Sequence, residues 1–150
     1  ITTVGLKDKI RYGYEAGADC VFLHDKNLYK NVKNYLGSKK VDVVFEHIGK
    51  ETWETSMKLL GIGGRIVTCG ATTGANVPIN LTHLFFKQLS ILGSTMSDIS
   101  SFKEVMLKID SEKYIPLIDK TFSFLDIVDA HKRVEGRNNI GKVMIHFENR

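Results

Sequence analysis

The chain alternates short runs of β-branched and aromatic residues with longer segments whose apolar residues recur at helical spacing. The clearest run, Val41 to Phe45, is almost entirely β-branched or aromatic, which predicts a buried strand of a parallel sheet. The segment before it, 28–36, has helical periodicity and is followed by Gly37, a common helix stop. Strands and helices that alternate in this way are typical of βαβ units. The residues therefore predict an α/β fold built on parallel strands.

The same pattern predicts the remaining elements. Strands are expected at 1–4, 20–23, 65–69 and 90–94, and helices at 7–16, 51–60, 80–88 and 101–109. Gly61 to Gly64 is predicted to be a turn that leads into the strand beginning at Arg65. After residue 112 the pattern changes to an extended segment at 116–124, a helix at 125–135 and a last strand at 142–147. We therefore expect two parts, residues 1–112 and residues 113–150.

Composition excludes several classes of protein. The 150 residues carry 21 Lys and Arg against 17 Asp and Glu, and the resulting charge of +4 is scattered among acids, which argues against nucleic-acid binding. No apolar run approaches the roughly 20 residues that cross a bilayer as a helix, so no membrane association is expected. Cys20 and Cys69 are far apart and lie in apolar runs. This pattern indicates neither a disulfide framework nor a metal knuckle and favours a reducing cytoplasm.

Ligands of open parallel sheets bind beyond the carboxyl ends of the strands, so the residues after the first strand are informative. A dinucleotide-binding unit usually carries an acid there for the ribose hydroxyls, but Val4 and Gly5 are not acidic. The absent carboxylate and the positive charge of Lys9 favour a 2′-phosphate, and so NADP(H) over NAD(H). Taken alone, Lys9 is explained equally well as one of many surface lysines.

Two further loops follow predicted strands. Gly70 to Gly74 contains small residues and two hydroxyls, which allow close approach of a flat ligand, although a structural turn would have the same sequence. Ile48 and Gly49 occupy a similar place after another strand, and His24 and His47 also follow strands. No His-x-x-x-His or Cys-x-x-Cys spacing occurs, so no zinc site is expected within this chain. No catalytic acid or base is predicted.

Several ordered blocks together resemble one family. The chain is similar to the medium-chain dehydrogenase/reductases, specifically to their quinone oxidoreductase and zinc-type alcohol dehydrogenase branch. The blocks that carry the resemblance are 1–9, 15–19, 41–49, 63–74 and 84–96, and the likeness continues to Gly141, Lys142 and Val143.

This resemblance implies the cofactor-binding part of an oxidoreductase that transfers hydride between a nicotinamide and a small alcohol or carbonyl, an enone or a quinone. It places Gly5 and Lys9 at the adenosine ribose and 2′-phosphate, and His24 where related NADP-binding members often have a phosphate-contacting Tyr. Further cofactor contacts are implied for Ile48 and Gly49 at the nicotinamide-side ribose, Gly70, Ala71 and Thr72 along the nicotinamide, Leu92, Gly93 and Ser94 at its carboxamide, and Lys142 near the pyrophosphate.

The resemblance also implies a doubly wound Rossmann-like sheet that lacks its first strand and glycine-rich turn. In the strand order 3-2-1-4-5-6 that strand is central. We therefore expect Ile1 to lie within a longer chain, whose catalytic domain receives residues 113–150 and supplies the ligands of any zinc ion. A homodimer is implied through the edge strand Ser90 to Ser94. The alternative function is a nucleotide-binding or dimerisation fragment without catalysis.

Overall fold

The computed structural model describes residues 1–147, which form two compact units. The first unit is Ile1–Met96 and the second begins at Ser97. The sequence predicts that residues 1–112 belong to a cofactor-binding domain and residues 113–150 to a catalytic domain. This assignment stays a prediction. No described helix is long and apolar enough to cross a membrane.

The first unit alternates strands and helices, as the periodicity predicts. Its elements are β1 (Thr2–Val4), a 3₁₀ helix (Lys7–Lys9), α1 (Ile10–Glu15), β2 (Val21–Leu23), α2 (Leu28–Leu36), β3 (Val41–Glu46), α3 (Trp53–Leu59), β4 (Leu60–Thr68), α4 (Leu81–Phe86) and β5 (Ser90–Gly93). Every strand pair is parallel: β1 pairs with β2, and β4 lies between β3 and β5. The predicted α/β fold with parallel strands is confirmed.

The strand order agrees with a doubly wound sheet from which the central strand is absent. Within residues 1–147, β1 pairs only with β2, and β3 pairs only with β4. The strand groups β2–β1 and β3–β4–β5 thus correspond to strands 3-2 and 4-5-6 of the order 3-2-1-4-5-6. The expected Rossmann-like arrangement of parallel strands is confirmed.

Strand β3 is less buried than its composition predicts. Val44 packs against the core, but Val43 and Phe45 are 53% and 67% exposed. The prediction of a buried strand is therefore wrong for these two side chains. The physical reason is that burial depends on what covers a strand, and the described residues leave this part of β3 mostly uncovered.

The core of the first unit lies between α3 and the three-stranded sheet. Trp53 and Met57 of α3 pack with Leu60 and Ile66 of β4, and both of these strand residues are fully buried. Leu89, just before β5, completes the cluster. Each such side chain contributes about 1.5–3 kcal/mol by leaving water. This packing anchors the loops at the carboxyl ends of β3, β4 and β5.

The predicted turn at Gly61 to Gly64 is wrong, because these residues lie within β4. The strand register jumps there, from Val41 opposite Leu60 to Val43 opposite Arg65. The extra residues are held by Lys87, whose carbonyl accepts a hydrogen bond from the Gly63 N–H (2.7 Å) and whose Nζ donates to the Leu60 carbonyl (2.7 Å). Tertiary hydrogen bonds thus convert a glycine-rich turn signal into an irregular strand.

The second unit is smaller and contains one pair of parallel strands. Its elements are α5 (Ile99–Asp110), β6 (Ile118–Ser123), a 3₁₀ helix (Phe124–Asp126), α6 (Ile127–Glu135) and β7 (Lys142–His146), with β6 paired to β7. Asp119 connects these elements. Its carboxylate accepts hydrogen bonds from Nε and Nη2 of Arg133 (2.7 and 2.8 Å) and from the Ile140 N–H (3.0 Å).

Candidate functional site

The carboxyl ends of β3, β4 and β5 meet at one edge of the sheet. The Cys69 N–H after β4 donates to the Glu46 carbonyl at the end of β3 (3.1 Å), and the Ser94 N–H after β5 donates to the Thr68 carbonyl (2.9 Å). The three strands therefore end side by side. This is the edge at which ligands of open parallel sheets bind.

Two loops at this edge are joined into one surface. Thr73 donates to the Ile48 carbonyl through both its backbone N–H (2.7 Å) and its hydroxyl (2.9 Å). The Thr72 hydroxyl donates to the His47 carbonyl (3.1 Å), and the Lys50 N–H donates to the Gly74 carbonyl (3.1 Å). The loop after β3 and the loop after β4 thus hold each other in place.

Gly49 is required by the packing between these loops. It is buried and has φ +91°, and a Cβ atom there would lie 2.5 Å from the Gly74 carbonyl oxygen and 3.1 Å from the Ala71 Cα. Contacts below 3.0 Å are not tolerated against backbone atoms. The loop packing is therefore sufficient to explain a glycine at this position, and its assignment to the ribose stays a prediction.

A buried carboxylate lies beneath the loop after β3. Glu46 is 3% exposed. Its Oε1 accepts hydrogen bonds from the N–H groups of Ile48 (2.8 Å) and Gly49 (3.2 Å) and from the Thr52 hydroxyl (2.8 Å). Its Oε2 accepts a short hydrogen bond from the Ser56 hydroxyl on α3 (2.6 Å). Loop and helix are therefore connected through one side chain.

The surroundings of Glu46 favour its charged form. Burial raises the pKa of this carboxyl, but the four hydrogen bonds, led by that from Ser56, together lower the pKa by more. The net pKa lies below its ordinary value. The sequence interpretation missed this residue as a separate feature; the signal was an acid that closes an apolar strand, with hydroxyls six and ten positions later.

The surface above the two loops is made of backbone and small side chains. Gly70, Ala71 and Thr72 are exposed after β4, and Gly93 and Ser94 are exposed after β5. A Cβ atom at Gly93 would meet no atom within 4 Å. Eight of the predicted cofactor contacts therefore share one sheet edge: Ile48, Gly49, Gly70, Ala71, Thr72, Leu92, Gly93 and Ser94.

Three further predicted contacts lie at the carboxyl end of the β1–β2 pair. The His24 N–H donates to the Val4 carbonyl (2.8 Å), which places His24 beside the start of the segment that contains Gly5. Lys9 ends the 3₁₀ helix that follows. No atom lies within 4 Å of a Cβ at Gly5, so this position is open to a ligand.

The last predicted contact belongs to the second unit. Lys142 is exposed at the start of β7, where its N–H donates to the Leu117 carbonyl (2.8 Å). Its assignment to a pyrophosphate stays a prediction. Residues 1–147 contain no group of three or more His, Cys, Asp or Glu side chains that could hold a metal ion. The described residues therefore do not form a zinc site.

Comparison with known proteins shows the family to which the chain belongs. Residues 1–111 match the family model of the zinc-binding dehydrogenases. The chain belongs to this family, which is part of the medium-chain dehydrogenase/reductases, and the resemblance stated above is confirmed. The match covers both sheets of the first unit.

The proteins to which the chain is similar carry the names of several different oxidoreductases. The chain is 30% identical over 118 residues to a crotonyl-CoA reductase of Streptomyces collinus, covering 79% of this chain and 26% of that protein. It is 35% identical over 82 residues to quinone oxidoreductase 1 of Escherichia coli, covering 54% and 25%. The crystal structure of an NAD-dependent alcohol dehydrogenase matches with 31% identity and a TM-score of 0.84, over 96% of this chain and 42% of that one. The chain thus spans about a quarter of the length of these curated relatives.

Proposed function

We propose that this chain binds the nicotinamide dinucleotide of an oxidoreductase. The observation that carries the proposal is the joined surface at the carboxyl ends of β3, β4 and β5, where small residues leave the backbone accessible. In this proposal Ile48 and Gly49 adjoin the nicotinamide-side ribose, and the loop after β4 orients the ring. When bound, the nicotinamide supplies or accepts hydride, and the protein supplies position and electrostatics.

For the cofactor we propose NADP(H) in preference to NAD(H). The carboxyl end of β1 presents Gly5 where a carboxylate would repel a 2′-phosphate, and Lys9 and His24 both lie near this end. The names of the relatives do not decide between the two cofactors, since the similar alcohol dehydrogenase is NAD-dependent.

For the reaction we propose hydride transfer to or from a small alcohol or carbonyl, an enone or a quinone. Relatives named for reduction of a crotonyl thioester, reduction of a quinone and dehydrogenation of an alcohol support this range of substrates. In this proposal, any catalytic zinc and the substrate pocket belong to parts of the protein outside this chain.

A comparison of affinities tests the cofactor proposal. The natural full-length protein is titrated with NADPH and with NADH by calorimetry, alongside Lys9→Ala and His24→Ala. We expect NADPH to bind at least tenfold more tightly than NADH. Both substitutions should weaken the binding of NADPH and leave the binding of NADH unchanged, because the loss of one charge-assisted contact to a phosphate lowers affinity about tenfold. Equal binding of the two dinucleotides, unaffected by either substitution, would reject the 2′-phosphate assignment.

We also propose that the protein is a homodimer paired along β5. One edge of this strand is unpaired within residues 1–147, and Leu92 is 45% exposed. Unpaired strand edges readily pair with another chain. Sedimentation velocity of the natural protein should give a dimer, with slow hydrogen exchange at Ser90–Gly93. A monomer, or rapid exchange along β5, would contradict the proposal.

A further inference from the structure

The feature that the proposed function leaves unused is the buried Glu46 carboxylate. It lies beneath the loop after β3 and is almost completely removed from water, and burial of a charge is costly unless the charge is hydrogen-bonded. All four of its donors are uncharged, being two backbone N–H groups and two hydroxyls. An apolar side chain would avoid the cost of the charge but would leave these donors without an acceptor. The carboxylate is therefore needed for the donors that it orients and not only to fill space.

The hydrogen bonds show what the carboxylate controls. Its Oε1 directs the N–H groups of Ile48 and Gly49 inward, while its Oε2 is fixed to Ser56 on α3. The carbonyl of Ile48 is left to accept from Thr73 of the neighbouring loop. The orientation of two successive peptide groups, and through them the contact between the loops, therefore follows from one side chain.

We propose that Glu46 is the positioning residue for the nicotinamide end of the bound dinucleotide. Its charge holds the loop at residues 47–50 in the conformation that receives the nicotinamide-side ribose. Glu46 acts through Ile48 and Gly49 and does not contact the cofactor itself. This inference rests on the proposed function, because it assigns the sheet edge at β3 to the nicotinamide end.

A purely structural role would have a different signature. Loss of overall folding would weaken binding at the adenosine end and at the nicotinamide end of the site to the same degree. The proposed adenosine contacts Gly5, Lys9 and His24 belong to the β1–β2 pair and share no described hydrogen bond with Glu46. A positioning role therefore predicts selective damage to the nicotinamide end.

The experiment compares Glu46→Gln with Glu54→Gln in the natural full-length protein. Glu54 is a matched control, because it is an exposed glutamate on α3 paired only to Lys58 in the described contacts. Each protein is titrated with the reduced dinucleotide that the wild type prefers and with its adenosine half, adenosine 2′,5′-bisphosphate for NADPH or ADP for NADH. The fluorescence of the bound reduced nicotinamide is recorded as a direct report on that end.

We expect Glu46→Gln to weaken binding of the dinucleotide about tenfold, which is the size of one lost charge-assisted hydrogen bond. The affinity for the adenosine half should change less than twofold. The nicotinamide fluorescence should shift toward that of free cofactor, and Glu54→Gln should match wild type. Ser56→Ala and Thr52→Val each remove one hydrogen bond to the carboxylate while keeping the carboxylate itself, and Thr52→Val also removes a long contact to the Gly49 carbonyl (3.4 Å). They should show the same selective loss to a smaller degree, and they carry the test if Glu46→Gln does not fold.

The outcomes separate the two proposals. If the wild type binds neither dinucleotide nor adenosine half, the proposed function itself is rejected, and this inference with it. If the wild type binds the dinucleotide but the Glu46, Ser56 and Thr52 variants bind it equally well, Glu46 has no positioning role. If the affinities for the dinucleotide and for its adenosine half fall equally, Glu46 has a structural role only.

Discussion

Gly49 lies directly against Gly74, so that a Cβ atom at position 49 would be 2.5 Å from the Gly74 carbonyl oxygen. The same carbonyl accepts the Lys50 N–H at 3.1 Å. The loop after β3 and the loop after β4 therefore approach each other more closely than any side chain at position 49 would allow. This contact sets the shape of the edge that we assign to the nicotinamide.

Gly49→Ala should destabilise the protein by more than about 2 kcal/mol, since an alanine at positive φ adds strain to the steric overlap. Urea unfolding followed by the fluorescence of Trp53, the single and buried tryptophan, measures the effect. Gly5→Ala is the matched control because a Cβ there meets nothing within 4 Å, and it should retain wild-type stability. Equal stability of both variants would show that the loops are not in contact.

Gly13→Ala should destabilise the first unit by about 1–3 kcal/mol, although alanine is the better helix former. A Cβ atom at Gly13 of α1 would lie 2.7 Å from Cγ2 of Val21 and 3.1 Å from Cγ2 of Thr2, so the helix could not keep its distance from β1 and β2. Denaturation followed by circular dichroism measures the loss.

The double variant Gly13→Ala with Val21→Ala is the control for this prediction. Removing the Val21 methyl groups makes room for the new Cβ, so the two changes together should cost less than the sum of the single changes. Simple additivity would indicate that the overlap between positions 13 and 21 is not the cause.

The Glu46 carboxyl should make stability depend on pH. Its pKa is lower in the folded protein than in the unfolded chain, so its stabilising contribution is present above the unfolded-state pKa and is lost as pH falls through the folded-state pKa. The difference in free energy of unfolding between wild type and Glu46→Gln should therefore shrink as pH is lowered from 7 into the acid range. Urea unfolding at a series of pH values measures it.

Salt provides the control for the pH prediction. The donors to Glu46 are uncharged and the carboxylate itself is buried, so the pH-dependent difference should persist in 0.5 M NaCl. The pKa of exposed Glu54 is lowered by its hydrogen bond and ion pair with Lys58, so its smaller contribution should disappear in salt. A difference for Glu46 that salt abolishes would contradict the arrangement of neutral donors.

The elements of the fold could be predicted because local signals and tertiary packing agree for most of the chain. The segment at 28–36 carries helical periodicity up to Gly37, and the helix has these bounds in the structure. At Gly61 to Gly64 the local signal indicates a turn, but Lys87 holds these residues within β4 from a distance of more than twenty positions. Local sequence contains no information about such a distant partner.

The candidate site likewise has one part that the sequence predicts and one part that depends on tertiary packing. The sheet edge to which the small residues belong follows from the strand pattern, since parallel strands share a carboxyl edge. The role of Glu46 does not follow, because an acid after an apolar run is equally compatible with an exposed loop. Its burial is decided by where α3 packs, which brings Thr52 and Ser56 onto the carboxylate.

Asp119→Asn should destabilise the second unit by about 2 kcal/mol, because it weakens a buried hub of hydrogen bonds. The Asp119 side chain is 6% exposed and receives a bidentate interaction from Arg133 and the Ile140 N–H. Asp129→Asn is the control: Asp129 forms an exposed pair with Lys132 at 3.1 Å, which is worth at most a few tenths of a kcal/mol. Hydrogen exchange at β6 and β7 measures the local free energy of opening. It should fall for the Asp119 variant and stay unchanged for the Asp129 variant, whereas equal protection in both would show that Asp119 does not hold β6, α6 and β7 together.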